Sequence, residues 1–220
     1  MLTAKEIEMI AEGVVDTLYM TLVSTACGYI IGLPWGIVLV VTGKNGLHPN
    51  AVIYRILDII TNIMRSIPFL ILLILVLPLT RVIVGKTYGS TATIVPLVIS
   101  AAPLIARMVE SSLNEVDKGV IEAAQSMGAS NVQIVFHVLL AESRVSLISG
   151  ATITIGTILG YSAMAGTVGG GGLGDIAIRY GYYRYQANIL FVTVILLVVL
   201  VQIFQLIGSL LSKKLDKRKI

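Results

Sequence analysis

The sequence predicts an all-α integral membrane protein with five transmembrane helices. Three observations predict it. The chain of 220 residues is 56% hydrophobic and only 13% charged, where an average soluble domain is about one quarter charged. Its mean hydropathy is +0.92. Long stretches carry no charge at all, at residues 17–43, 87–106, 145–174 and 185–212. About 20 apolar residues in a helix cross the hydrocarbon core, so each gap holds one span. Runs of this kind without polar alternation exclude a barrel.

The first span is placed at 17–42. The segment before it has one lysine, Lys5, against Glu6, Glu8, Glu12 and Asp16. It lacks the basic start of a signal peptide, so the first apolar segment is expected to stay in the membrane. Gly28, Gly32 and Gly36 recur every four residues and form a smooth ridge on a helix. That spacing suits close packing against another helix, although glycine is also common in membrane helices generally. Gly156 and Gly160 repeat the pattern in the fourth span.

The second span, 55–79, is the least regular, because its uncharged part is short and must borrow residues from 58–65. Arg55, Asp58, Asn62 and Arg65 follow one another at spacings that put them on one helical face. A charge at the bilayer centre costs roughly 2.5–3.5 kcal/mol, so this stripe is expected to face water, a partner helix or a conduit. Arg55 and Asp58 suit a solvated, mutually paired lead-in. Arg65, about 15 Å further along, calls for an interhelical or functional partner. The remaining spans are placed at 88–110, 145–166 and 187–211. Pro34, Pro68, Pro96 and Pro103 are expected to kink or loosen their helices.

The two flanks differ in charge. The N-terminal segment is acidic and the tail at 213–219, KKLDKRK, is basic, which implies an odd number of crossings. With five spans, ten Lys and Arg fall on one side and five on the other, with Arg65 inside a span. Positive charge marks the cytoplasm. The N-terminus is therefore expected outside and the C-terminus inside, and residues 117–141 form a cytoplasmic loop of a single membrane domain spanning 1–220.

Several chemistries are excluded. The single Cys27 allows no internal disulfide or cysteine cluster. His48 and His137 stand apart without ligand spacing, so no metal site is expected. Residues 169–174, GGGGLG, match a dinucleotide-binding spacing, but a membrane span precedes them where that motif needs a strand. They also fail as a phosphate loop, because Asp175 and Ile176 follow where Lys and Ser or Thr are required. Their glycine content suggests a flexible loop. No catalytic triad or carboxylate pair stands out. The chain is expected to be no enzyme, to hold no cofactor and to bind no nucleic acid.

The cytoplasmic loop reads DKGVIEAAQSMGASNVQIVFHVLLAES. Asp117 suits a helix N-cap. Gly128 stands where a helix ends in the left-handed region. Ser130 followed by Gln133 is a capping-box pattern that starts a second helix. Val120, Ala123, Ala124 and Met127 make a modest apolar face on the first helix. From the residues alone this hairpin is either a helix docked into another protein or a surface turn.

Glu122, Ala123, Ala124 and Gly128, followed after nine residues by Val138, Leu139, Leu140 and Ala141, resemble the E-A-A-x-x-x-G, I-x-L-P loop of ABC importer permeases. The loop departs from that pattern at Val138, where the family has Ile, and at Ala141, where it has Pro; the latter softens the entry into the fourth span. The likeness is strongest to methionine-type permeases, through TNIMRSIPFLILL (61–73), TRVIVG (80–85), AAPLIARMVE (101–110) and GYSAMAGTVGGGGLGDIAIRYGY (160–182). It covers most of the chain from Leu18 onward.

The resemblance implies the small type I importer fold, in which Glu122, Ala123, Ala124 and Gly128 belong to a coupling helix seated in a cytoplasmic ATPase. It implies a homodimer enclosing the conduit, two ABC ATPase subunits that bind ATP and Mg, and an extracytoplasmic substrate-binding lipoprotein, in a bacterial inner membrane with lipid around it. Tyr161, Ser162 and Met164 at the end of the fourth span, with Asn62 and Arg65, are candidates for the gate or substrate path. Met164 offers a flexible, polarisable surface for an apolar amino acid, or else simple core packing. Two other functions stay open. One is an ABC permease for another amino acid or an osmolyte. The other is a secondary transporter or channel, for which neither an internal repeat nor a use for the loop is visible.

Overall fold

A computed structural model describes residues 3–216. The last basic residues of the tail, Lys217, Arg218 and Lys219, lie outside the described residues. Helix α1 runs from Ala4 to Thr42. Thr3 starts it with a capping box: its hydroxyl accepts from the Glu6 N–H, and the Glu6 carboxylate accepts from the Thr3 N–H at 2.7 Å. At 1.5 Å per residue the helix is about 58 Å long, well beyond a hydrocarbon core of about 30 Å. It therefore begins a full segment earlier than the apolar run suggests.

The second span, expected at 55–79 with Pro68 kinking or loosening it, is broken outright. Residues 51–84 form two helices, α2 at Ala51–Ser66 and α3 at Phe69–Val84, with a bend of 107° between them. The cause is local. Ile67 is extended, at φ −77° and ψ 123°, as a residue before proline prefers, and Pro68 has no N–H with which to continue the α2 ladder. Pro34, Pro78, Pro96 and Pro103 lie inside continuous helices, whereas Pro68 stands at the break.

Helix α4 spans Ser90–Asn114. A helical hairpin follows, α5 at Lys118–Ser126 and α6 at Asn131–Glu142. Helix α7 spans Arg144–Ala165. A short α8, Gly172–Ile176, widens into a π-type turn at Ala177–Tyr182, and α9 closes the fold at Ala187–Leu215. Among the described residues, α1, α4, α7 and α9 are long and apolar enough to cross a membrane; α2 and α3 make a fifth span if the bent pair counts as one.

The centre of the bundle is the seam between α1 and α4. A side chain at Gly32 would bring its Cβ to 2.6 Å from the Ala102 carbonyl, and one at Gly36 to 2.6 Å from the Ala106 carbonyl. The glycine ridge of α1 thus receives the α4 backbone directly. Leu97, Ala101, Ile105, Val109 and Leu113 of α4 fill the core beside it. Gly156 and Gly160 behave differently. A Cβ there would meet nothing within 4 Å, so the expected second packing ridge faces open space in this chain. Helix α9 leans on α7 where Gly208 makes room for Thr152, and it turns Phe191, Ile195, Val198 and Leu206 outward, as a lipid-facing surface requires.

Thr21 of α1 is fully buried and its hydroxyl has no hydrogen-bond partner among the described residues, unlike Thr17 and Thr25, which bond back to the carbonyls of Gly13 and Thr21. An unpaired buried hydroxyl is unfavourable. Thr21→Val keeps the shape and removes that group, so it is expected to stabilise the fold by about 1 kcal/mol. A thermal melt of the detergent-solubilised protein should show a higher midpoint.

Candidate functional site

The hairpin at 117–142 is built by local rules. The Asp117 carboxylate accepts from the Gly119 N–H at 2.7 Å and starts α5. Gly128, at φ +81°, ends the turn after it, in the region where only glycine is unstrained. The Ser130 hydroxyl accepts from the Gln133 N–H, and the Gln133 side-chain oxygen accepts from the Ser130 N–H at 2.8 Å. This reciprocal capping starts α6, which widens into a π-helical turn at Ile134–Leu139.

The apolar face expected on α5 is split by the tertiary structure. Ala124 is buried and joins Ile134, Val135 and Leu139 in the core, with Ile121 packed beside it. Val120, Ala123 and Met127 are exposed, Met127 at 81%. The physical reason is the 100° step between neighbours on a helix, which sends Ala123 and Ala124 in different directions. Glu122 and Gly128 are also exposed. The surface available to another protein is therefore formed by Val120, Glu122, Ala123, Met127 and Gly128, while Ala124 secures the helix to its own bundle. Beneath α5 lies a cavity of about 580 Å³, reached by Ile121, Glu122 and Gln125 from the hairpin and by Tyr54 and Glu110 from the bundle.

Glu110 belongs to a charge network that the sequence stripe only half revealed. The expected pairing of Arg55 with Asp58 is not formed. Asp58 instead takes Arg107 of α4, with Nη2 at 2.6 Å from its carboxylate. The same nitrogen donates to the Asn62 side-chain oxygen at 2.9 Å. Arg107 Nη1 lies 2.6 Å from Glu110, and the Tyr54 hydroxyl donates to the other Glu110 oxygen at 3.2 Å. One guanidinium thus bridges two carboxylates and ties α2 to α4, using the planar fork that suits arginine to this task. Arg65, expected to find a partner, is exposed and has no ion pair or hydrogen bond among the described residues. Arg107, Glu110 and Tyr54 were missed from the sequence. The available signal was an Arg and a Glu three apart in an otherwise apolar helix.

The end of α7 sorts the other candidates. Tyr161 stacks flat on Phe69 of α3, with ring centroids 4.5 Å apart, so it binds helices together. Ser162 is buried and donates to the Leu159 carbonyl at 2.8 Å. Met164 alone of the three projects outward, at 40% exposure.

The glycine-rich segment that follows is not a loose loop. The Gly89 N–H donates to the Gly169 carbonyl, Thr93 to the Gly170 carbonyl, and the Leu173 N–H to the Thr17 hydroxyl at 2.9 Å. Gly172 combines φ +75° with a Thr17 oxygen 2.7 Å from where a Cβ would stand. Its glycines serve close approach, and the expectation of flexibility is corrected. The segment seats α8 against α1 and α9 through Ile10, Leu173, Ile176 and Ile189. Gly172→Ala is expected to destabilise the protein by about 2 kcal/mol, through left-handed backbone strain and overpacking together, and to lower the melting midpoint. Among the described residues, no group of three or more His, Cys, Asp or Glu is placed to hold a metal ion.

Long apolar helices sealed by glycine, a polar network between α2 and α4 and an exposed helical hairpin define a multi-pass membrane protein. Comparison with known proteins agrees. Residues 28–219 match the family described as binding-protein-dependent transport system inner membrane component, and the chain belongs to that family. It is 51% identical to the "Probable D-methionine transport system permease protein MetI" of Vibrio cholerae, over 92% of this chain and 90% of that one. It is 46% identical to the methionine import system permease protein MetP of Bacillus subtilis, over 92% and 91% of the two chains. Among solved structures, a chain of the MetNI methionine ABC transporter in inward facing conformation superposes with a TM-score of 0.97 at 47% identity, covering 98% of this chain and 100% of that one.

Proposed function

We propose that this chain is the transmembrane permease subunit of an ATP-driven methionine importer, working as a homodimer with two cytoplasmic ABC ATPase subunits and an extracytoplasmic substrate-binding protein. The methionine permeases similar to it over more than nine tenths of its length support this reading. The observation that carries the mechanism is the hairpin. The helix α5 stands at the surface, its inner side fastened through Ala124 and Ile121 and its outer side bare at Val120, Ala123 and Met127. That is the arrangement of a handle: a motor that grips the outer side moves the bundle through the inner side. The N-terminus lies outside and the C-terminus in the cytoplasm, as the excess of Lys and Arg on the hairpin side requires. ATP and Mg belong to the partner, and alternating access follows from the motor biasing two arrangements of the bundle. Met164, on the open side of α7, gates the route.

Reconstitution in proteoliposomes with the ATPase and the binding protein tests this. Methionine uptake is expected to need all three components and ATP. Uptake that persists without ATP would mark a secondary transporter or channel, and uptake of a different amino acid with methionine excluded would overturn the substrate. Met164→Ala is expected to raise basal methionine leak by about tenfold if removal of the side chain lowers a gating barrier by ~1.4 kcal/mol. An unchanged leak would reduce Met164 to packing.

A further inference from the structure

A groove of about 740 Å³ runs between α7 and α9, and its body is mainly apolar. Ile153 and Gly156 of α7 line it opposite Val201 of α9. Thr152 and Thr157 line it too, but their hydroxyls donate to the carbonyls of Ile148 and Ile153. A threonine bonded back in this way satisfies its polar group within its own helix, as hydrocarbon requires. Ile153 is 59% exposed, and a Cβ on Gly156 would meet nothing within 4 Å. Leu206 and Leu210, one step round α9 from the lining residues Gln205 and Ser209, are exposed and apolar. The groove therefore borders the lipid-facing side of α9.

One end of the groove is different. There the Ser149 and Ser212 hydroxyls lie 3.3 Å apart, and Lys213 completes the lining. Ser149 places its proton on the Val145 carbonyl at 3.0 Å, so Ser212 can turn its own toward a bound acceptor. Lys213 is exposed and has no ion pair or hydrogen bond among the described residues. It opens the run KKLDKRK at 213–219, with five cations and one acid, Asp216. Val201 stands twelve residues before Lys213, about 18 Å along the helix axis. One leaflet of a 30 Å hydrocarbon core is about 15 Å deep. The groove is thus an apolar slot about one leaflet deep, with hydroxyls and a cation at the end where a head group lies.

We propose that the α7–α9 groove holds one anionic phospholipid of the cytoplasmic leaflet. Lys213 and Ser212 take its phosphate, and one acyl chain lies along Ile153, Gly156 and Val201. Basic pockets between spans on the cytoplasmic side are suited to such head groups. The bare backbone of Gly156 leaves the width that the chain occupies. Only the assignment of this end to the cytoplasmic side rests on the permease reading above.

The test uses the complete transporter, purified in mild detergent with equal amounts of phosphatidylglycerol and phosphatidylcholine and weighed intact by native mass spectrometry. Phosphatidylglycerol is expected to be retained about fivefold over phosphatidylcholine, the preference one lysine near an anionic head group supplies. Lys213→Gln should abolish that preference. Lys214→Gln removes the same charge one step round the helix and should keep it. Gly156→Leu should lower retention of both lipids several-fold without moving the melting midpoint, because its side chain enters open space. The proposal is overturned if both lysine variants lose the preference equally, which would mark diffuse attraction by the basic tail, or if Lys213→Gln retains it. It is also overturned if inorganic phosphate raises the melting midpoint as much as phosphatidylglycerol does, or if Gly156→Cys, in a Cys27→Ala background, forms a disulfide with a second copy. The lipid count does not depend on transport, so a complex that retains phosphatidylglycerol but takes up no methionine would overturn the importer reading alone.

Discussion

Arg107→Met is expected to destabilise the protein by about 3 kcal/mol and to lower its melting midpoint by several degrees. The substitution keeps much of the side-chain volume but removes the one cation from a cluster of two carboxylates. Glu110 is the expensive member, because its side chain is only 7% exposed. Breaking a buried ion pair by removing one partner costs about 3–5 kcal/mol, mostly from the charge left behind. The lower end applies here, since the Asp58 side chain is 29% exposed and water screens part of the loss. The explanation makes a second demand. Glu110→Gln and Asp58→Asn added to Arg107→Met should recover most of the lost stability, because no unpaired charge then remains. If the triple variant is as unstable as Arg107→Met alone, packing of the arginine stem is responsible. Arg107→Lys should fall between the two, since an ammonium cannot bridge Asp58, Asn62 and Glu110 in the planar geometry that the guanidinium uses.

The second large effect separates two adjacent alanines. Ala123→Arg is expected to weaken ATPase binding about 30-fold, the equivalent of ~2 kcal/mol at the centre of an interface, while the permease itself inserts and melts as before. Ala124→Arg should do the opposite. It forces a long charged side chain into a position 6% exposed, packed in the core with Ile134, Val135 and Leu139, so the hairpin should lose its seat and the melting midpoint should fall. Co-purification with the ATPase and a thermal melt, measured on both variants, distinguish gripping from seating. An Ala123→Arg protein that holds the ATPase at normal affinity would show that α5 is not the handle.

Much of the site's local form is legible in the residues. Asp117, Gly128, Ser130 and Gln133 each act on backbone groups within a few positions, so the start of α5, its glycine stop and the start of α6 follow from short-range hydrogen bonding and φ preference. The direction in which the hairpin turns its alanines is not legible, because an apolar face on a short helix does not say which part meets its own core and which part meets a partner. The Asp58 partner is hidden for a similar reason. Arg55 is three residues away and Arg107 forty-nine, and only packing of α2 on α4 brings the distant arginine closer.

The sequence by itself determined the solvent of this protein, the approximate positions of its apolar segments, the glycine ridge on α1 and the stops that shape the hairpin, because each depends on residues that are near neighbours along the chain. The tertiary structure alone decided that the α1 ridge is filled while Gly156 and Gly160 stay bare, and that the glycine segment at 169–174 is a packed joint. Those outcomes depend on which surfaces of distant segments meet, and side-chain packing sets them at separations that local preference does not reach.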